Sequence, residues 1–226
     1  MTTIESLRIE TPATLRELAL DRLRSAIVAG TFEPGGRLVE RSLCEQLGVS
    51  RSVIREVIRH LETEGLVEMG KQGPIVATLD WDDARQIYDI RALLESAAVA
   101  DCASRADAAT KARLAAILDD LDRNAAGNDP STMLAATIEF YALIFASSGH
   151  DVAWEIVARL NSCISRLRVM TLGTANRTVS GPARLREIYD AIGRNDPDGA
   201  AAACRLHIAE AAKIAESILS ESQSLR

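Results

Sequence analysis

From Ala13 to Ala29 the apolar positions Leu15, Leu18, Leu23, Ile27 and Val28 recur at spacings that share one broad helical face, and Gly30 ends the pattern. The chain then turns through Pro34-Gly35-Gly36 into Glu40 to Glu64, ERSLCEQLGVSRSVIREVIRHLETE, a stretch that fits two helices and a tight turn. In the second helix Ile54, Val57, Ile58 and Leu61 form one buried stripe, while Arg51, Arg55 and Arg59 repeat every fourth residue on a different face. Gly48 permits the sharp turn and Ser50 suits the N-cap. Backbone donors, a positive dipole end and stacked arginines fit a phosphate-lined groove. An ordinary solvated helix carries the same stripe, so the following residues decide. Gly65 stands at a C′ position, Leu66 to Met69 reads as a strand, Gly70-Lys71-Gln72-Gly73 as a turn, and Pro74 to Ala77 as a returning strand. The combination predicts a winged helix-turn-helix whose second helix reads DNA.

A different pattern begins at Asp80 to Asp83, an acidic boundary with Asp80 as N-cap. Ile87, Ile90, Leu94 and Ala98 predict a helix over Trp81 to Arg105, with Arg91 and Glu95 paired one turn apart. Further helices are predicted over Ala108–Ala125, Ser131–Ser147, Asp151–Met170, Ala183–Gly193 and Pro197–Leu219. Their breaks are Gly127-Asn128-Asp129-Pro130, Ser148-Gly149-His150, a polar connector from Gly173 to Pro182, and Asn195-Asp196-Pro197. Short loops between neighbouring helices predict an antiparallel bundle with no strand. The fold class is therefore mostly α: a mobile arm over residues 1–10, a winged helix-turn-helix over 11–79, and an all-α antiparallel helical bundle over 80–226.

Composition changes this picture little. The 226 residues suffice for two modest domains, and 47% hydrophobic residues describe an ordinary soluble protein. No apolar run approaches the roughly 18 residues of a membrane span, and the N-terminus lacks the regions of a secretory signal, so a cytoplasmic location without membrane contact is expected. Cys44, Cys102, Cys163 and Cys204 are scattered without a CxxC pair, which argues against a zinc finger or disulfide framework. The pI of 5.2 is low for a DNA binder. Up to Leu79, however, there are 10 Lys+Arg against 11 Asp+Glu, leaving 16 against 21 in the remainder of the 26 and 32. Most of the acidic excess thus lies outside the reading module, where it limits non-specific sticking. No nucleophile elbow, phosphate loop, His-Glu-x-x-His spacing or paired Glu-x-x-His motif is present, so no enzyme motif supports catalysis.

The reading module resembles the GntR family of bacterial transcription regulators. The resemblance rests on Ala26 to Gly30, Pro34 to Leu38, Glu40-Arg41, Leu47 to Arg51, Arg55-Glu56 and Leu61 to Val67, in order and without a gap. Val53 stands where many members have proline, and Val39 where a serine or threonine cap is usual. The family pattern starts the first reading helix at about Glu40, whereas a capping box of Ser42 and Glu45 would start it later. The resemblance implies that Arg41, Arg51, Ser52, Val53 and Arg55 lie at the DNA, with Gly73 at the wing tip. Arg91 and Glu95, Asp190-Ala191-Ile192, Asn195-Asp196 and the alanine-rich last helix resemble the FCD (FadR C-terminal) effector domain.

Many FCD domains hold a divalent metal with one aspartate and three histidines. Here those positions align with Thr137, Tyr141, Leu185 and His207, and only His207 is a competent ligand, so no metal and no cofactor are expected. His150, 57 positions before His207, is a thin basis for a second ligand. If the family cavity is retained, Arg91, Tyr141, Asn161, Arg168 and His207 are the candidates to hold an effector, and arginine suits a carboxylate or phosphate. The expected function is a homodimeric, ligand-responsive transcription regulator of double-stranded operator DNA, most commonly a repressor relieved by a small molecule. The alternative is an effector-independent DNA-binding or architectural protein whose bundle serves only for dimerisation.

Overall fold

The computed structural model describes residues 13–125, 130–172 and 181–224. Residues 1–10, read above as an arm, lie outside this range. The chain divides between Thr78 and Leu79 into two compact units.

The first unit contains α1 (Leu15–Val28), α2 (Glu40–Leu47), α3 (Arg51–Thr63), β1 (Val67–Gly70) and β2 (Gly73–Val76). Leu20, Leu23, Ile27, Leu43, Ile54, Val57, Ile58 and Leu61 bury together with Val67 and Val76 of the strands. The ends of α3 follow from its sequence. The Ser50 hydroxyl accepts the Val53 amide at 3.4 Å at the N-terminus. At the C-terminus Gly65 takes a φ of 74°, so that Gly65 N donates to Glu62 O and Leu66 N to Leu61 O. A part-buried Arg24 donates through Nε and Nη2 to Glu64 at 2.9 and 2.6 Å, tying α1 to the end of α3.

Two details differ from the sequence reading. The strands are shifted by one residue, because Gly70 pairs with Gly73 and only Lys71 and Gln72 form the loop. The chain before α2 also joins the wing, with an antiparallel bridge of Arg37 to Ile75 and a Leu38 N to Pro74 O bond of 2.9 Å. The capping box at Ser42 and Glu45 does not form. Instead α2 starts at Glu40, its N-cap Val39 supplies no side-chain bond, and Glu45 accepts from Arg41.

The second unit contains α4 (Trp81–Arg105), α5 (Ala108–Ala125), α6 (Pro130–Ser148), α7 (Asp151–Cys163), α8 (Ser165–Leu172), α9 (Gly181–Gly193) and α10 (Pro197–Ser224). Helix α6 is central, burying Leu134, Thr137, Phe140, Tyr141, Ile144 and Phe145. It is long and apolar enough to cross a membrane by length and composition, yet those residues pack into the core of the bundle. Helix α10 packs against α4, α9 and α8. Among the described residues no strand occurs in this unit.

Three corrections apply here. The single helix predicted over Asp151–Met170 is broken at Ile164, where the Ser165 hydroxyl bonds the Ser162 carbonyl and competes with the helical ladder. The last helix runs on to Ser224. Most consequentially, the buried face of α4 is centred on Ala84, Tyr88, Arg91, Glu95, Ala98 and Cys102; of the predicted stripe Ala98 lies in it, Ile87 and Leu94 pack at its edge, and Ile90 is exposed. Leu93 and Ile90 are 71% and 40% exposed, while Arg91 and Glu95 are 2% and 0% exposed. The connector predicted from Gly173 to Pro182 lies outside the described residues up to position 180, and Gly181 and Pro182 already belong to α9.

Candidate functional sites: an exposed cationic helix and a buried cationic cavity

The N-terminal half of α3 is built for contact. Burial of Ile54, Val57 and Ile58 forces Arg51, Ser52 and Arg55 to the exposed side. Ser52 Oγ lies 3.1 Å from Ser50 Oγ, beside the capped amides. Arg51 is exposed at the first position of α3. Arg55 Nε donates to Glu40 at 3.1 and 3.0 Å, and Arg41 Nε donates to Glu45 at 3.1 Å. Val53 is half-buried against the core and presents only part of its surface. Gly73, with a φ of 114°, closes the wing loop directly after Lys71 and Gln72.

The second site lies inside the bundle. Tyr88 and Arg91 of α4, Thr137 of α6, Arg168, Thr171 and Leu172 of α8, and His207 and Ala211 of α10 surround a cavity of about 20 Å³. That volume admits about one water molecule. Arg91 donates through Nε to Glu95 Oε1 at 2.7 Å, and its guanidinium sits 5.3 Å from the centre of the Tyr88 ring. Burial opposes the charge of Arg91, but the Glu95 carboxylate outweighs it and holds the group protonated above the usual arginine value. For Arg168 the Glu95 field does not outweigh burial and Arg91. Arg168 is 6% exposed, and burial and then the field of Arg91 lower its pKa to about 10. Its Nη1 has no hydrogen-bond partner among the described residues. A buried guanidinium in that state favours any anion that reaches it.

The four residues that the sequence reading aligned with metal ligands have the following surroundings. The Thr137 hydroxyl donates to Met133 O at 2.8 Å, one turn back on its own helix. Tyr141 OH lies 3.6 Å from Cys204 Sγ, and burial pushes its pKa well up. Leu185 is packed in the core. His207 stacks on Tyr141 with ring centres 6.5 Å apart. Among the described residues no cluster of three or more His, Cys, Asp or Glu side chains is placed to hold a metal ion.

Residues 15–76 match the family described as bacterial regulatory proteins, gntR family, and residues 86–210 match the FCD domain. The chain belongs to the gntR family of regulators with an FCD domain. HTH-type transcriptional regulator YdhC of Bacillus subtilis (strain 168) is 26% identical over 182 residues, 80% of this chain and 81% of the relative. The gluconate operon transcriptional repressor of Bacillus licheniformis is 26% identical over 168 residues, 74% and 65% of the two chains. A transcriptional regulator GntR from Rhodococcus sp. RHA1 superposes with a TM-score of 0.74 at 26% identity, covering 89% of this chain and 97% of that one. E. coli McbR/YncC shares the fold with a TM-score of 0.74 at 21% identity, covering 94% and 100%.

This GntR-family chain is a DNA-binding transcription regulator and not an enzyme. Of the candidates for its interface, α3 and its N-cap gather Arg51, Ser52 and Arg55, α2 carries Arg41, and Gly73 lies on the wing. Of the five effector candidates, Arg91, Arg168 and His207 line the cavity and the other two do not. Tyr141 reaches it only through its stack on His207, and Asn161 is buried outside the lining with its Oδ1 unpartnered among the described residues. His150 is not near this cluster and bonds Asp101 at 2.8 Å. The sequence reading missed Tyr88 and Thr171 as lining residues. The available signal was helical spacing: Tyr88, Arg91 and Glu95 lie at i, i+3 and i+7.

Proposed function

We propose that this regulator is a cytoplasmic homodimer that represses transcription and is released from its operator by a small carboxylate-bearing metabolite. Each subunit reads one half of a short pseudo-palindrome, with the N-terminal half of α3 in the major groove and the Lys71-Gln72 tip of the wing against the neighbouring groove. Arg41, Arg51, Ser52, Val53, Arg55 and Gly73 form the contact surface. The name of the gluconate operon repressors among the relatives supports repression as the mode.

The observation that carries the effector half is Arg168, a buried guanidinium that lines the cavity and whose Nη1 has no hydrogen-bond partner among the described residues. A carboxylate would neutralise it beside His207, and the Thr137 and Thr171 hydroxyls, which donate to Met133 O and Arg168 O, would have to turn to donate to it. No metal is needed in this scheme, since arginine supplies the positive charge that a divalent ion supplies in other FCD domains. The effector must open the site, because about 20 Å³ does not hold a metabolite. Differential affinity for the opened and closed arrangements, typically about 1–3 kcal/mol, is what would reach the DNA.

The small cavity also favours one alternative, an effector-independent protein whose bundle is filled. One experiment tests both. Genomic fragments selected by the purified protein at physiological salt supply an operator, and carboxylates that raise the melting temperature are then tested for release of that operator. Melting shifts with release support the effector reading. A clear palindrome with no stabilising carboxylate favours the filled bundle, and uniform, salt-sensitive binding without a motif removes sequence-specific reading altogether.

A further inference from the structure

Arg55 is exposed on the second turn of α3, and its guanidinium is paired. Its Nε donates to both carboxylate oxygens of Glu40, at 3.1 and 3.0 Å. Glu40 opens α2, fifteen positions earlier in the chain, so the contact spans the two helices of the reading head. Because the carboxylate takes Nε, the terminal Nη1 and Nη2 groups keep their donors. These two groups form the end-on fork that matches the O6 and N7 acceptors of guanine. Arg51, one turn earlier on the same face, has no carboxylate beside it among the described residues. The two arginines therefore differ in what they offer a duplex.

We propose that Glu40 is a positioning residue for DNA reading, which holds Arg55 for a base edge and withholds it from the phosphate backbone. Two physical effects combine. The carboxylate removes the rotational freedom that a long side chain must otherwise lose on binding. Its negative charge also neutralises Arg55 locally, so a nearby phosphate meets a neutral pair, whereas a guanine edge presents uncharged acceptors and suffers no repulsion. Arg51 keeps its full charge and suits a phosphate. The pair is solvent-exposed, and such pairs contribute little to folding. What it changes is discrimination between sequences.

The inference rests on the reading that α3 enters the major groove, and the test separates the two. Affinities are measured with the full-length protein for a duplex that the wild type selects from a randomised pool and for a shuffled duplex, across several salt concentrations. The proteins are wild type, Arg55→Ala, Glu40→Ala, Glu40→Gln and the double variant Glu40→Ala/Arg55→Ala, each checked for an unchanged melting curve. Arg55→Ala and Glu40→Ala should each lower the ratio of selected to shuffled affinity by about tenfold. With Glu40→Ala, binding to the shuffled duplex should hold or strengthen, and its salt slope should steepen by about one as Arg55 turns to a phosphate. The double variant should lose no more than either single one, and Glu40→Gln should fall between. Equal weakening of both duplexes by Glu40→Ala, or an unchanged ratio while Arg55→Ala collapses it, overturns the proposal and leaves the reading of α3 intact. An unchanged ratio in Arg55→Ala also overturns the proposal, whereas equal affinity of the wild type for both duplexes overturns the reading of α3 itself.

Discussion

Replacing Arg168 with methionine should make the regulator more stable, an unusual expectation for a buried residue in a well-packed bundle. The magnitude follows from the cavity. Lowering of the Arg168 pKa to about 10 by burial, and then by Arg91, means that the charged form is disfavoured in the folded state by roughly 3 kcal/mol. Glu95, whose field favours the charge, is already engaged with Arg91 and cannot discharge that penalty. Methionine has a similar unbranched length and adapts to irregular space, so most of the packing is retained. Subtracting roughly 1–2 kcal/mol for lost contacts leaves a net stabilisation of about 1–2 kcal/mol, in the range seen when buried charges are replaced by apolar residues. For a domain of this size that is about 3–6 °C in melting temperature.

The assay is urea unfolding followed by tryptophan fluorescence. Trp81 and Trp154 are the two tryptophans of the chain, and both belong to the second unit, so the signal reports on the bundle alone. The pH dependence has a definite sign. A cation with a depressed folded pKa leaves the folded state binding fewer protons than the unfolded one only between that pKa and the usual value, so stability rises with pH only above about 10. Below that, both states are fully protonated and the penalty is constant. The advantage of Arg168→Met should therefore be the same at pH 6 and pH 8. A loss of more than about 1 kcal/mol would refute the reasoning, because it would mean that the fold already compensates this charge.

The same cluster predicts the opposite response at its negative member. Glu95→Gln leaves two buried guanidiniums without a carboxylate and should cost about 3–5 kcal/mol in the same urea titration. In the first unit, Gly65→Ala places a side chain at a φ of 74° and should cost about 1–2 kcal/mol, read as the thermal midpoint of that unit by circular dichroism. Treatment with a chelator should leave the melting temperature of the regulator unchanged, and elemental analysis should find well under one equivalent of divalent metal. About one equivalent of tightly held metal would reject the metal-free cavity.

The reading head was legible because its signals are local and redundant. Ser50 and Gly65 bracket α3, and its apolar stripe leaves no second choice of face. The wing was legible as strands and turn but not in register, since the sequence allowed Gly70 to stand in the turn or pair across it, and only backbone pairing with Gly73 decides. The Arg37 bridge depends on residues far apart in the chain and leaves no periodic trace. In the bundle, helix ends marked by Gly, Asn and Pro were legible. Asn195, for example, adopts a φ of 53° at the end of α9. The break at Ile164 was not, because a serine hydroxyl bonding the backbone has no distinctive spacing.

The misread face of α4 is the most informative departure. Apolar periodicity favoured Ile87, Ile90, Leu94 and Ala98; Ala98 is buried and Ile87 and Leu94 pack against the core, but the fold also turns Tyr88, Arg91 and Glu95 inward and leaves Ile90 and Leu93 exposed. Burying an ion pair while an adjacent leucine meets solvent is a poor bargain for stability alone, since an apolar replacement would commonly be neutral or better. A buried ion pair on a helix whose apolar residues only partly face the core is the kind of local inconsistency that functional sites show. Here the inward polar face meets Arg168 and His207 at one cavity, with more positive charge than Glu95 can balance. Stability would be served by removing Arg168, whereas an anion-responsive switch needs its charge to remain buried and uncompensated until a ligand arrives. The Arg168→Met experiment separates these demands in one variant: a gain in stability accompanied by loss of stabilisation by every carboxylate places the cost of the cavity in its use.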